Sequence, residues 1–284
     1  MQVKMKSVIK RTVDIVLTVL LLFLMAFQVT GDKLHEWLGI GMTALLILHH
    51  LLNSKWYGAV FKGKYTLYRI MLTLVNTLLL ASIAAAAFSG MAMSNHAVPF
   101  MYGIIRPVKA RKLHLAMSYW SFILMGVHIG FHMKAMTARL GNRGKIVFKA
   151  VLTAVSGIGL RLFLKSGIAD YIFFRTHFAF LDFNAPKWRI ILENLAMLLF
   201  WVLVGTTIAE LTQKNRNRRY SVVPLIWLAA AVAFGTALNI AFKDGSSDTG
   251  ASGWQNSRKP AKTYNKQSVT EAASVQQETG DSQH

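Results

Sequence analysis

The sequence predicts an all-α integral membrane protein, and three observations carry that prediction. Of the 284 residues, 54% are hydrophobic and only 15% are charged, a departure from soluble averages toward membrane composition. Apolar runs long enough to cross a bilayer recur along the chain, separated by short polar segments. The 32 Lys and Arg behind the net charge of +20 sit in clusters between those runs. There they orient helices in a bilayer rather than track a nucleic-acid backbone, which excludes a DNA or RNA partner. Cysteine is absent, so disulfides, cysteine-bound iron–sulfur clusters and thiolate-bound haem are excluded, and any metal centre falls to histidine.

Seven spans are expected. The amino terminus resembles a signal peptide, with Lys4, Lys6, Lys10 and Arg11 ahead of an apolar run. The run is longer than a usual signal core and ends in Phe27-Gln28-Val29-Thr30-Gly31 without a small-residue cleavage site, so a retained first span over 13–29 is the better reading. The polar turn Thr30-Gly31-Asp32-Lys33 sends a second span, 34–52, back antiparallel. A basic loop with interfacial Trp56, Tyr57, Tyr65 and Tyr68 leads to a third span, 70–93, whose run Ala84-Ala85-Ala86-Ala87 lets another helix or a flat cofactor come close. A loop with His96, Pro99 and Pro107 precedes the fourth span, 113–133. Residues 1–133 thus read as a four-helix transmembrane bundle.

Residues 134–242 supply about three further spans, at 146–164, 188–211 and 222–242, with an aromatic segment of mixed polarity at 166–187 that suits the membrane interface. The polar stretch 243–284 reads as a disordered tail. Placing the basic amino terminus in the cytoplasm puts the majority of Lys and Arg on the inner side, as the positive-inside rule requires for a bacterial cytoplasmic membrane protein. The main outer cluster is Arg106, Lys109, Arg111 and Lys112, just ahead of His114.

Histidines carry the chemistry. His35 and His49 lie 14 residues apart on the second span, and His114 and His128 lie 14 residues apart on the fourth. Fourteen residues rise about 21 Å and fall about 40° short of whole turns, so each pair shares one helix face at two depths. Ionisable groups inside membrane spans are costly and point to function. The second and fourth spans run parallel, and in an up-down bundle they face each other across the core. His35 then meets His114 at the outer level, and His49 meets His128 at the inner level. Two imidazoles across a space are what a bis-histidine b-type haem needs, so two b-type haems are expected, each iron held by one pair and closed to substrate. That arrangement is a cytochrome b-like bundle whose work is electron transfer.

Gly39, Gly41, Gly126 and Gly130 would leave room for porphyrin, while Arg106, Arg111 and Lys112, with Lys109, suit the outer haem's propionates. Lys55, Arg69 and Lys134 are the corresponding cations for the inner pair. His50, adjacent to His49 but pointing about 100° away, and His132, deeper on the ligand face, are secondary candidates for the inner site. His177 is a secondary candidate for a quinone or docking contact. Carboxylates are scarce in the spans: Asp14 and Glu210 lie near ends and Glu193 is better placed, which argues against a proton pump.

The segments Thr30-Gly31-Asp32-Lys33-Leu34-His35-Glu36-Trp37-Leu38-Gly39, His49-His50-Leu51-Leu52-Asn53-Ser54-Lys55-Trp56-Tyr57 and Arg111-Lys112-Leu113-His114-Leu115-Ala116-Met117-Ser118-Tyr119-Trp120, followed by His128 and His132, resemble the flavinylation-associated cytochrome family, a bacterial membrane group. The likeness covers roughly 13–133, with a weaker echo in 175–183. It implies a cytochrome passing electrons between the quinone pool and an extracytoplasmic flavoprotein, as the membrane subunit of a quinone-linked oxidoreductase. No flavin-attachment domain is recognisable after the last span, so the flavoprotein is expected as a separate chain. Two rival readings use the same histidines: a transition-metal transporter, whose path usually adds carboxylates or thiolates, and a non-redox membrane scaffold.

Overall fold

The structure, a computed structural model, describes residues 2–176, 178–179, 181–213 and 223–241. Among the described residues every regular element is helical. The helices are α1 (Gln2–Met25), α2 (Phe27–Leu52), α3 (Lys55–Val60), α4 (Leu67–Met91), α5 (Pro107–Met136), α6 (Asn142–Lys165), α7 (Ile168–Ile172), α8 (Lys187–Thr212) and α9 (Val223–Ala241), with one 3-10 turn at Pro99–Met101. The expected tail, 243–284, and His177 lie outside the described residues.

Helix ends follow local chemistry. Thr66 caps α4 by accepting from the Arg69 N–H at 3.3 Å. Pro107 opens α5 at the first helical position, where no N–H is needed. The α1–α2 connection breaks twice, at Ala26 and at Gly31, whose φ of 66° is costly for any residue with a Cβ. The reversal therefore begins at Ala26, earlier than the Thr30–Lys33 turn read from sequence.

Among the described residues four helices, α4, α5, α6 and α8, are long and apolar enough to cross a membrane. The α1–α2 pair, bent by 120°, brings the number to five if it is one broken span. The chain is thus a multi-pass membrane protein, but with fewer qualifying spans than the seven expected. Lys10, Arg11 and Asp14 in α1, and Asp32, Lys33 and Glu36 in α2, interrupt the apolar window of those helices. The described apolar part of α9, Val223–Asn239, is shorter than a span. Large side chains such as Ile15, Ile47, Leu74, Val151 and Leu192 are exposed, an apolar surface that suits lipid.

The centre of the packing is α5, which lies against both α4 and α8, while α6 packs on the other side of α8. Residues 1–133 are therefore not a separable bundle, because α8 shares the core with them. Leu17, Leu21, Met42, Phe122, Ile123 and Leu198 form that shared core. The α5–α8 crossing is close: a Cβ on Gly126 would meet Trp201 Cβ at 2.6 Å, and one on Gly130 would run into the Val202 carbonyl and the Thr206 N–H. These two glycines, spaced as in a GxxxG helix-packing motif, admit α8 rather than a porphyrin. The segment after α6 also departs from a purely interfacial reading, since Ile168, Tyr171 and Ile172 of α7 are buried and the Tyr171 ring stacks on Tyr119 of α5 at 5.0 Å.

A latch ties α2 to the loop after α4. The Glu36 carboxylate accepts from Ser94 Oγ at 2.7 Å and from the backbone N–H groups of Asn95, His96 and Ala97 at 3.0, 2.8 and 2.9 Å. Charged acceptors make the stronger hydrogen bonds, though the loop N–H groups partly recover water when the carboxylate is lost. Glu36→Ala is expected to cost about 2 kcal/mol, read as a melting temperature lower by roughly 4–8 °C in detergent. An unchanged melting temperature would show that the latch contributes nothing to holding α2.

Candidate functional site

The histidines gather at two levels between α2 and α5. These helices do not pack closely on one another; α2 is held by α1 and, more lightly, by α4. A Cβ on Gly39 or Gly41 of α2 would meet nothing within 4 Å, so that part of α2 borders open space.

At the first level, His35 and His114 bring their ring centres to 6.1 Å with planes 79° apart. In a bis-imidazole complex each metal–nitrogen bond is about 2.0–2.1 Å, and each ring centre lies about 1 Å behind its nitrogen, which places the centres about 6 Å apart. The His114 Nδ1 is 2.8 Å from the Ala86 carbonyl. A carbonyl only accepts, so Nδ1 carries the proton and Nε2 keeps its lone pair for a metal. Gly90 matters here as well: a Cβ would lie 3.1 Å from His114 Cε1, so the glycine makes way for the ring. His35 Nδ1 is buried and has no hydrogen-bond partner among the described residues.

At the second level, His49 Nδ1 is 2.8 Å from Asp14 Oδ1 and His128 Nδ1 is 2.8 Å from Asn76 Oδ1. Both acceptors again put the proton on Nδ1 and leave Nε2 free. His128 and His132 both lie within electrostatic reach of His49, and what distinguishes His128 is its Nδ1 contact with Asn76. His132 is more exposed, with its ring 4.8 Å from that of His128. His50 is turned away, its Nδ1 2.9 Å from the Tyr57 hydroxyl. Sequence alone does not mark Asp14 and Asn76 as site residues. The signal for Asp14 was present, a carboxylate at the edge of an apolar run; for Asn76 it was a lone amide inside one.

The cations fall into two groups. Arg106, Arg111 and Lys112 stand within about two turns of His114 on or beside α5, and their side chains make no hydrogen bond or ion pair among the described residues. Arg69 and Lys134, expected to serve the inner pair, are engaged elsewhere. Arg69 closes the 59–69 loop through the carbonyls of Ala59, Lys62 and Lys64, and Lys134 Nζ donates to Gln213 at 2.8 Å. Among the carboxylates, Glu193 pairs with Arg189 at 2.8 Å and Glu210 with Lys149 at 2.7 Å.

The donor set fits haem on three counts: paired imidazoles, open space beside α2, and unengaged cations at the His114 end. Among the described residues no group of three or more His, Asp or Glu is arranged to hold a bare metal ion. Two facing imidazoles suit an ion whose other ligands come with it, as porphyrin nitrogens do. No protein-family model, curated protein or solved structure matches the chain.

Proposed function

We propose that this chain is a membrane b-type cytochrome that binds two haems and transfers electrons across the cytoplasmic membrane. The observation that carries the reading is the His35–His114 pair, two imidazoles at the separation a shared iron requires, one with its Nδ1 proton already committed to Ala86. His49 and His128 would hold the second haem. A haem held between His35 and His114, and another between His49 and His128, would each supply one-electron chemistry. The protein's part is to hold the imidazoles of His49, His114 and His128 by their Nδ1 protons, to line the space with Gly39 and Gly41, and to offer Arg106, Arg111 and Lys112 to propionates.

Quinol or quinone in the membrane is the proposed exchange partner on one side, and a separate extracytoplasmic flavoprotein on the other. The partners rest on the family resemblance, and the orientation, with the amino terminus inside, rests on the distribution of Lys and Arg.

The test is the visible spectrum of the full chain purified from a haem-replete host, oxidised and dithionite-reduced, with haem content per chain. A sharp reduced α-band of bis-histidine type with about two haems per chain is expected. A protein with no Soret band would overturn the reading.

A further inference from the structure

We infer that Asp14 is a tuning residue for the site of His49 and His128, holding it at a lower reduction potential than the site of His35 and His114. The inference rests on the di-haem reading above and concerns what surrounds each imidazole.

The Nδ1 partners of the four histidines form an uneven series. His49 donates to a carboxylate, Asp14 Oδ1, at 2.8 Å. His128 donates to a neutral amide oxygen, Asn76 Oδ1, at 2.8 Å. His114 donates to a backbone carbonyl, Ala86, at 2.8 Å. His35 Nδ1, buried, has no hydrogen-bond partner among the described residues. An anionic acceptor draws the Nδ1 proton toward itself and leaves the imidazole with imidazolate character, so its Nε2 donates more strongly to a metal. A stronger donor favours the oxidised, more positive iron and lowers the potential. As direct Nδ1 partners, one level thus has a carboxylate and an amide and the other one carbonyl; Asp32 and Glu36 lie within electrostatic reach of His35 but are not hydrogen-bonded to its ring.

The fold brings this about at some distance along the chain. Asp14 belongs to α1, which contributes no histidine, and reaches His49 only because α1 turns back onto α2 at Ala26 and Gly31. The Asp14 side chain is 52% exposed and that of His49 24%, so solvent weakens the long-range field of the carboxylate. The direct hydrogen bond is what remains, and it acts through the imidazole.

Redox titration of the purified full chain, followed at the reduced α-band, tests this. The parent protein is expected to titrate in two one-electron steps. Asp14→Asn keeps an oxygen acceptor but removes the charge. It is expected to change the reduction equilibrium of the lower step about tenfold, a rise of about 59 mV, and to leave the upper step in place. Asn76→Asp, which adds a carboxylate behind His128, is expected to move the same step down. A purely structural role for Asp14 would change haem content or melting temperature without moving the potential of the haem retained. Should Asp14→Asn lose the haem, Asn76→Asp decides alone, and an unmoved lower step in it overturns the inference. Movement of the upper step instead, in either variant, overturns it too. A parent chain without haem would remove the di-haem reading itself, whereas two haems with an unmoved lower step would remove only the role given to Asp14.

Discussion

His114→Ala is expected to leave the purified chain with about half the haem of the parent, and His49→Ala with the same half-loss at the other level. His50→Ala and His132→Ala are expected to keep both haems. The difference follows from geometry rather than from residue type. His114 faces His35 at 6.1 Å with its Nδ1 proton committed to Ala86, so its removal leaves one imidazole where an iron needs two. His49 stands in the same relation to Asp14, with His128, held at Nδ1 by Asn76, within electrostatic reach along with His132. His50 is engaged by Tyr57, and His132 lies on the more exposed side of His128. His35→Ala combined with His114→Ala should lose no more haem than either change alone, because the two residues serve one iron and their effects do not add. Haem content, measured against protein, separates the outcomes. Half-loss in His50→Ala with full retention in His49→Ala would overturn the choice of ligand on α2.

Much of this arrangement is legible in the sequence, and the reasons for what is not are physical. The apolar run 70–93 and the observed α4 differ by a few residues at each end, because a long uninterrupted apolar stretch has no stable alternative in lipid. Helix rise places His35 level with His114 before any coordinates are known, since it needs only two parallel helices. Gly126 and Gly130 read less well. A glycine that admits a flat cofactor and one that admits another helix look identical along the chain. What decides between them, Trp201, Val202 and Thr206, lies more than a helix away in sequence. Asp14 reads as a residue near a span end until the breaks at Ala26 and Gly31 turn α1 onto α2 and put its carboxylate on His49. The same breaks change the span count, because charge on both sides of them leaves neither helix with an apolar stretch long enough to qualify alone.

Gly130→Ala and Gly205→Ala are expected to be among the most damaging small substitutions in the protein, each costing about 3 kcal/mol. Small-to-large changes in a packed core usually cost less than this where a flexible side chain can give way. Here the obstacles are backbone: the Val202 carbonyl and the Thr206 and Gly205 main chain for Gly130, and the Val127 main chain for Gly205. Two helices must separate to admit either methyl group, and the contacts of Phe122, Leu198 and their neighbours loosen with them. The double variant should cost much less than the two single costs together, because one widening of the α5–α8 crossing accommodates both methyls. Gly58→Ala in α3 supplies the contrast, since its Cβ meets nothing and alanine favours helix by about 0.5–1 kcal/mol. Thermal unfolding in detergent should therefore rank Gly58→Ala at or above the parent and both crossing variants about 6–12 °C below it. Since α5 bears both His114 and His128, haem retention should fall with melting temperature in the crossing variants. Parent-like melting of Gly130→Ala and Gly205→Ala would mean that α5 and α8 are not in backbone contact, and the core would have to be redrawn around a different helix pair.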